Sequence, residues 1–144
     1  VHSWLKLSTR LKFKLNIATP EGYEPDSGSI TEAISIRTSE IELFNNPFEA
    51  VKDADVIYTD VWASMGQKEE AEYRRRLFER YQVNSDLMSA TGRKDTLFMH
   101  CLPAERGVEV TDEICDSPNS IIFDQAENRM HAQNAIMLMV CGKV

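Results

Sequence analysis

A chain of 144 residues, 42% hydrophobic and 27% charged, has the size and composition of one ordinary globular domain, which excludes disordered, fibrous and repeat classes. Sixteen Lys and Arg against 23 Asp and Glu leave a net charge of -7, a poor electrostatic match for nucleic acid or an anionic membrane. No apolar run nears the roughly 20 residues of a membrane span. Cys101, Cys115 and Cys141 lack the spacing of a disulfide framework or a zinc ribbon. A soluble protein of a reducing, intracellular compartment is expected, with small molecules or other chains as partners and with no metal or cofactor. The start at Val1 without Met, directly in helical sequence, reads as a fragment of something longer.

Trp4, Leu5, Leu7 and Leu11 have helical spacing, and Phe13 to Ala18 alternates as a strand until Pro20 and Gly22. Ser29 to Ile36 reads as a second helix capped by Ser29, with Glu32 at capping-box distance, followed by a strand over Glu40 to Phe44. Asn46-Pro47 opens a short helix through Val51, and Asp55 to Thr59 reads as a buried strand. Glu69 to Tyr81 is an amphipathic helix whose apolar face comprises Tyr73, Leu77, Phe78 and Tyr81. A helix from Val83 to Ala90 stops at Gly92. Strands are then expected at Thr96 to Met99 and Ser120 to Phe123, before an apolar helix from about Gln125 to Val140 with Ala126, Met130, Ala135, Ile136 and Met139 available for packing. This alternation predicts an α/β fold of the Rossmann-like, three-layer kind, a parallel sheet flanked by helices. Ligands in such folds gather beyond the carboxyl ends of the strands.

Two predicted strand ends carry chemistry, Asp60-Val61-Trp62-Ala63-Ser64-Met65-Gly66 and His100-Cys101-Leu102-Pro103-Ala104. A carboxylate at the first suits a ligand ammonium, although Asp60 could equally cap the turn behind it. His100-Cys101 is compatible with a thiolate nucleophile, a metal site or a small buried cysteine, and the scattered His2, His131 and Cys115 offer a metal no recognisable spacing. Arg129 follows the polar run Asp124 to Asn128 and either offers its fork of donors to an anion or pairs with Glu127 or Asp124 on the surface. Ser8-Thr9-Arg10 looks phosphate-binding but lies within the first helix, and Thr19 to Asp26 is a turn-rich loop.

His2-Ser3-Trp4, Ala18 to Pro25, Asp60 to Gly66, His100 to Ala104 and Ala126-Glu127-Asn128-Arg129 together resemble the second domain of the ornithine carbamoyltransferases, over nearly the whole chain. The Ser-Met-Gly loop and the His-Cys-Leu-Pro turn are the most specific pieces. Aspartate carbamoyltransferases resemble His-Pro-Leu-Pro at the turn, and putrescine carbamoyltransferases lack the Ser-Met-Gly lid. The resemblance implies one ornithine-binding domain over residues 1–144, with Asp60, Ser64 and Met65 holding L-ornithine. It implies that Cys101 and Leu102 line the reacting centre and that Cys101, Leu102 and Arg129 bind carbamoyl phosphate, with Cys101 and Asp60 catalytic. It also implies a homotrimeric full-length enzyme, placed in the cytoplasm or in an organelle matrix of a eukaryote. The family's preceding domain carries a Ser-Thr-Arg-Thr-Arg phosphate motif and a His-Pro-Gln segment, and neither occurs in this chain. The carbamoyl-phosphate-binding domain is therefore expected to be missing and the isolated fragment inactive. A non-catalytic amino-acid-binding or assembly module, a transferase for another amine acceptor and a cysteine hydrolase built on Cys101 are the alternatives.

Overall fold

The computed structural model describes residues 1–62 and 68–142, which fall into two compact units, Val1–Lys52 and Asp53–Val144. The first contains α1 (His2–Ser8), β1 (Lys14–Ala18), α2 (Ser27–Ile36), β2 (Glu40–Phe44) and α3 (Pro47–Ala50). α1 ends before Leu11 because hydroxyls terminate it: Ser8 donates to the Leu5 carbonyl at 2.7 Å and Thr9 to that of Lys6 at 2.8 Å. The Ser8 bond satisfies a carbonyl near the helix end, and the Lys6 carbonyl also accepts from the Thr9 amide at 3.3 Å. α2 begins earlier than its sequence suggests. The cap is Asp26, whose carboxylate accepts from the Ser29 amide at 2.8 Å and from the Ser29 hydroxyl at 3.0 Å. These bonds hold the Asp26 carboxyl below its ordinary range.

β1 and β2 pair in parallel, from Lys14 opposite Glu40 to Ala18 opposite Phe44. The Asn16 amide donates to the Ala50 carbonyl at 2.6 Å and ties β1 to α3. α3 has the expected start, with the Asn46 side chain accepting from the Phe48 amide and Pro47 in the first turn. Leu5, Ile17 and Ala33 form the buried centre of this unit, with Leu15, Ile30 and Ile41 against them.

The second unit runs β3 (Val56–Thr59), α4 (Lys68–Phe78), a single 3-10 turn (Glu79–Tyr81), α5 (Ser85–Ser89), β4 (Leu97–His100), α6 (Asp112–Cys115) and α7 (Ile122–Val140). The expected apolar face holds at Leu77, Phe78 and Tyr81 and fails at Tyr73. Tyr73 is exposed, whereas Arg74, Leu77, Phe78 and Tyr81, at spacings of three and four, turn inward, and Phe78 stacks on both Trp62 and Tyr81. Val83 leaves the expected helix to bridge Val110, and α5 starts behind Asn84, whose side chain accepts from the Leu87 amide at 3.0 Å. Gly92, at a φ of 74°, occupies the left-handed region after α5.

β3 and β4 pair in parallel, from Val56 opposite Leu97 to Thr59 opposite His100. The strand expected at Ser120 to Phe123 is not formed. Ser120 makes one bridge to Phe98, the Ile121 amide donates to the Phe98 carbonyl at 3.0 Å, and Ile122 already begins α7. Only the first of these residues finds a ladder partner, so the chain turns into helix as soon as Ile122 is buried. Phe98, Val83, Val110, Leu87 and Ile122 form the core of this unit. The packing expected of α7 is also absent: Met130, Ile136 and Met139 are 54%, 58% and 70% exposed, and Ala126 and Ala135 lie open.

The chain is thus mixed α/β, with parallel strand pairs flanked by helices, the class expected from sequence. No helix among the described residues is long and apolar enough to cross a membrane. Phe98, at 0% exposure, and Ile136 should respond in opposite ways to truncation. Phe98→Ala should cost about 3 to 5 kcal/mol in urea unfolding, and Ile136→Ala should stay within about 0.5 kcal/mol. Equal midpoints for the two variants would contradict this packing.

Candidate active site

Parallel pairing with Thr59 opposite His100 carries both strands to the same edge, so Asp60 and Cys101 emerge side by side. The Cys101 thiol donates to Asp60 Oδ1 at 2.8 Å, and the same oxygen accepts from the Val61 amide at 2.8 Å. Asp60 therefore serves its own turn as well as the cysteine. Tyr58, two residues before Asp60 and so on the same strand face, hydrogen-bonds Cys101 and receives a bond from Gln125. Burial, followed by the Cys101 contact, pushes the Tyr58 phenol well above its ordinary value. Burial and then the bond to Asp60 push the Cys101 thiol up as well, against a lowering from Tyr58. Cys101 is a protonated donor at neutral pH. That is opposite to the depressed value of a nucleophilic cysteine.

The turn after β4 is held from several sides. Leu102, at a φ of 53°, occupies the left-handed region that residues with a Cβ seldom adopt. Its amide donates to His100 Nδ1 at 2.9 Å, and the His100 amide donates to Gln125 Oε1 at 3.0 Å. His100 is 1% exposed, and its Nε2 lies 3.5 Å from Oε1 of the equally buried Glu109. Burial lowers the His100 pKa despite opposing contributions from Glu109 and Asp60. With Nδ1 engaged by a backbone amide, this imidazole is not a base for Cys101, which removes the partner a cysteine hydrolase would need.

Gln125 fixes the first turn of α7, and Arg129, one turn further along, shares its face. An open cleft results, lined by Cys101, Leu102, Pro103, Ala126, Arg129 and Met130. Among the described residues Arg129 forms no ion pair with Asp124 or Glu127, and Glu127 contacts His131 at 3.4 Å. Asp60, Cys101, Leu102 and Arg129 are thus described within one unit, whereas Ser64 and Met65 lie outside the described residues. Among the described residues no group of three or more His, Cys, Asp or Glu could hold a metal ion.

Residues 1–140 match the family model described as aspartate/ornithine carbamoyltransferase, Asp/Orn binding domain. The chain belongs to the aspartate/ornithine carbamoyltransferase family. It is 59% identical over 143 residues to a chloroplastic ornithine carbamoyltransferase of Pisum sativum, covering 99% of this chain and 38% of that protein. Against an ornithine carbamoyltransferase of Thermococcus kodakarensis it is 54% identical, covering 99% of this chain and 46% of the other. The solved ornithine carbamoyltransferase of Pyrococcus furiosus superposes with a TM-score of 0.90 at 53% identity, over 99% of this chain and 46% of that one. The chain spans less than half the length of these relatives, with the Rossmann-like α/β class expected for it.

Within this family member, Tyr58, Glu109 and Gln125 support the site although sequence reading gave them no role, and His100, read with Cys101 as a possible nucleophile or metal site, instead holds the Leu102 amide. Strand alternation from Asp60 was a usable signal for Tyr58. Glu109 is one acid of an irregular loop, and nothing local distinguishes it.

Two pH responses follow. The raised Cys101 value predicts an iodoacetamide rate that rises only above the ordinary thiol range, slower at pH 8 than at the exposed Cys141, with Asp60→Asn moving that rise to lower pH. A Cys101 as reactive at pH 7 as a depressed thiol would contradict the geometry. For His100, the stability gained by burying a neutral ring is complete above the unfolded value near 6.5 and is lost as pH falls through the lower folded value. An NMR titration placing the His100 midpoint above 6.5 would reverse that sign.

Proposed function

We propose that residues 1–144 act as the ornithine-binding domain of an ornithine carbamoyltransferase, which converts L-ornithine and carbamoyl phosphate to L-citrulline and phosphate. The observation that carries this reading is the Cys101 thiol on the Asp60 carboxylate at 2.8 Å, with Arg129 lining the cleft beside Cys101 and Leu102. The side-chain amine of ornithine resembles that of Lys, with an ordinary pKa about 10.4, so presenting it neutral at pH 7 costs roughly 4 to 5 kcal/mol. Asp60 offers the negative charge that orients an ammonium. Cys101, protonated and hydrogen-bonded, positions rather than attacks. The amine nitrogen bonds to the carbamoyl carbon, the carbon–oxygen bond to phosphate breaks, and the amine proton passes to Asp60 or to the departing phosphate. Leu102 and the Arg129 guanidinium, with Cys101, contact carbamoyl phosphate, the fork of donors suiting a planar or tetrahedral anion. Ser64 and Met65 belong to the ornithine contacts in this reading. The chemistry calls for no cofactor, because phosphate is already the leaving group.

The partner is a carbamoyl-phosphate-binding domain, supplied in cis or as another chain. The exposed apolar residues Met130, Ile136 and Met139 on α7 support such a partner. A homotrimeric full-length enzyme in the cytoplasm, or in the matrix of a eukaryotic organelle, completes the proposal. Three free cysteines suit a reducing compartment.

Combining the chain with a separately made first domain of a relative should yield citrulline under saturating substrates. In that assembly Asp60→Asn should weaken ornithine use by about 1.5 to 3 kcal/mol, the worth of a charge-assisted contact. Arg129→Lys should raise the KM for carbamoyl phosphate, because a point charge cannot reproduce the guanidinium fork. No citrulline from a formed assembly, together with tight calorimetric binding of ornithine by the chain alone, would instead support a non-catalytic amino-acid-binding module.

A further inference from the structure

The loop that leaves the Cys101 turn returns to the same place through one buried acid. Glu109 is 1% exposed, its carbonyl accepts from the Val83 amide at 2.9 Å beside the Val83–Val110 bridge, and its Oε1 accepts from the Glu105 amide at 2.5 Å. That oxygen is also the carboxylate atom facing His100 Nε2, at 3.5 Å. The separation exceeds a formed N–H···O bond, and His100 Nε2 has no hydrogen-bond partner among the described residues. His100 Nδ1 is occupied as an acceptor by the Leu102 amide. A neutral imidazole accepting at Nδ1 carries its hydrogen on Nε2, and a buried N–H needs an acceptor in front of it. A carboxylate only accepts, so the charge of Glu109 favours that tautomer over the one with hydrogen on Nδ1, which would confront the Leu102 amide donor to donor.

From this arrangement we infer that Glu109 is a positioning residue of the carbamoyl-transfer site, acting through His100 to hold the Leu102 amide and with it the Cys101–Leu102 turn. The inference rests on the carbamoyltransferase reading for its consequence, and not for its geometry. Glu109 touches no substrate. It fixes which imidazole nitrogen is free, and the imidazole fixes a Leu102 backbone at a φ of 53° that an unsupported leucine would leave. The same oxygen braces the Glu105 amide, so the middle of the loop from Cys101 to Glu109 and the His100 ring at its start register on a single side chain.

The test is nitrogen-15 NMR of the ring on the 144-residue chain at neutral pH, with amide exchange at Leu102. The wild type should show one tautomer, protonated at Nε2. In Glu109→Gln the negative charge is gone, and the one remaining acceptor oxygen is claimed by the Glu105 amide as well as by the ring. The preference for Nε2–H weakens, so a mixture of tautomers should appear and Leu102 should exchange about tenfold faster, the effect of losing one hydrogen bond. A wild-type ring protonated on Nδ1, or a folded E109Q with a single Nε2–H tautomer and unchanged Leu102 exchange, would overturn the inference. Should E109Q not fold, Glu109→Asp decides: it keeps an acceptor-only carboxylate and must keep the Nε2–H tautomer, whereas a ring protonated on Nδ1 would overturn the role. These readouts need no turnover. A chain that fails to make citrulline with its complementing domain would sink the proposed function and leave the His100 result standing.

Discussion

The register between β3 and β4 is the constraint on which the site depends. With Thr59 opposite His100, the next residue of each strand emerges at the same edge, and Asp60 meets Cys101 within hydrogen-bond distance. Displacing the pairing by one residue would send the Asp60 side chain to the other face, because strand side chains alternate. The register is specified by burial: Ile57 and Phe98 sit opposite one another and both are core residues. Thr96 reinforces it by donating to the Ala54 carbonyl at 2.8 Å, and Asn119 by donating to the Thr96 carbonyl at 2.8 Å.

Around that contact the protonation states fit positioning better than covalent attack. Burial and the Asp60 carboxylate keep the Cys101 thiol protonated, and burial keeps Tyr58 a phenol and His100 a neutral ring. Each group is then a directed donor or acceptor rather than a charge. The fixed negative charge of the cluster belongs to Asp60, and the cleft that contains Cys101 is also lined by Arg129. A cation and an anion brought there would find complementary charges at separate points.

α7 shows how a helix can serve a site without completing a core. Its first turn is anchored by Ile122, 2% exposed, and by the bond from the His100 amide to Gln125, which orients Arg129 one turn later. Beyond Met130 the apolar residues have no cover among the described residues. A helix with this much open apolar surface is stabilised by whatever packs against it.

Sequence by itself determined the class of fold, the strand–helix rhythm and the two chemically loaded strand ends, because apolar periodicity and Gly, Pro and Asn punctuation act locally. β2 was legible to its residue limits, Glu40–Phe44, for that reason. Periodicity misled where a tertiary partner outvoted it. Ser120 to Phe123 has strand composition yet turns into α7, Tyr73 yields its inward position to Arg74, and Asp26 captures the cap expected of Ser29. The motifs also identified Asp60, Cys101, Leu102 and Arg129 as candidates. Tertiary structure decided that Cys101 points its hydrogen at Asp60, that Glu127 contacts His131, and that His100 works on a backbone amide. It also brought Glu109, nine residues beyond His100, back against that ring, since only folding of the loop converts such a separation into contact between two buried side chains.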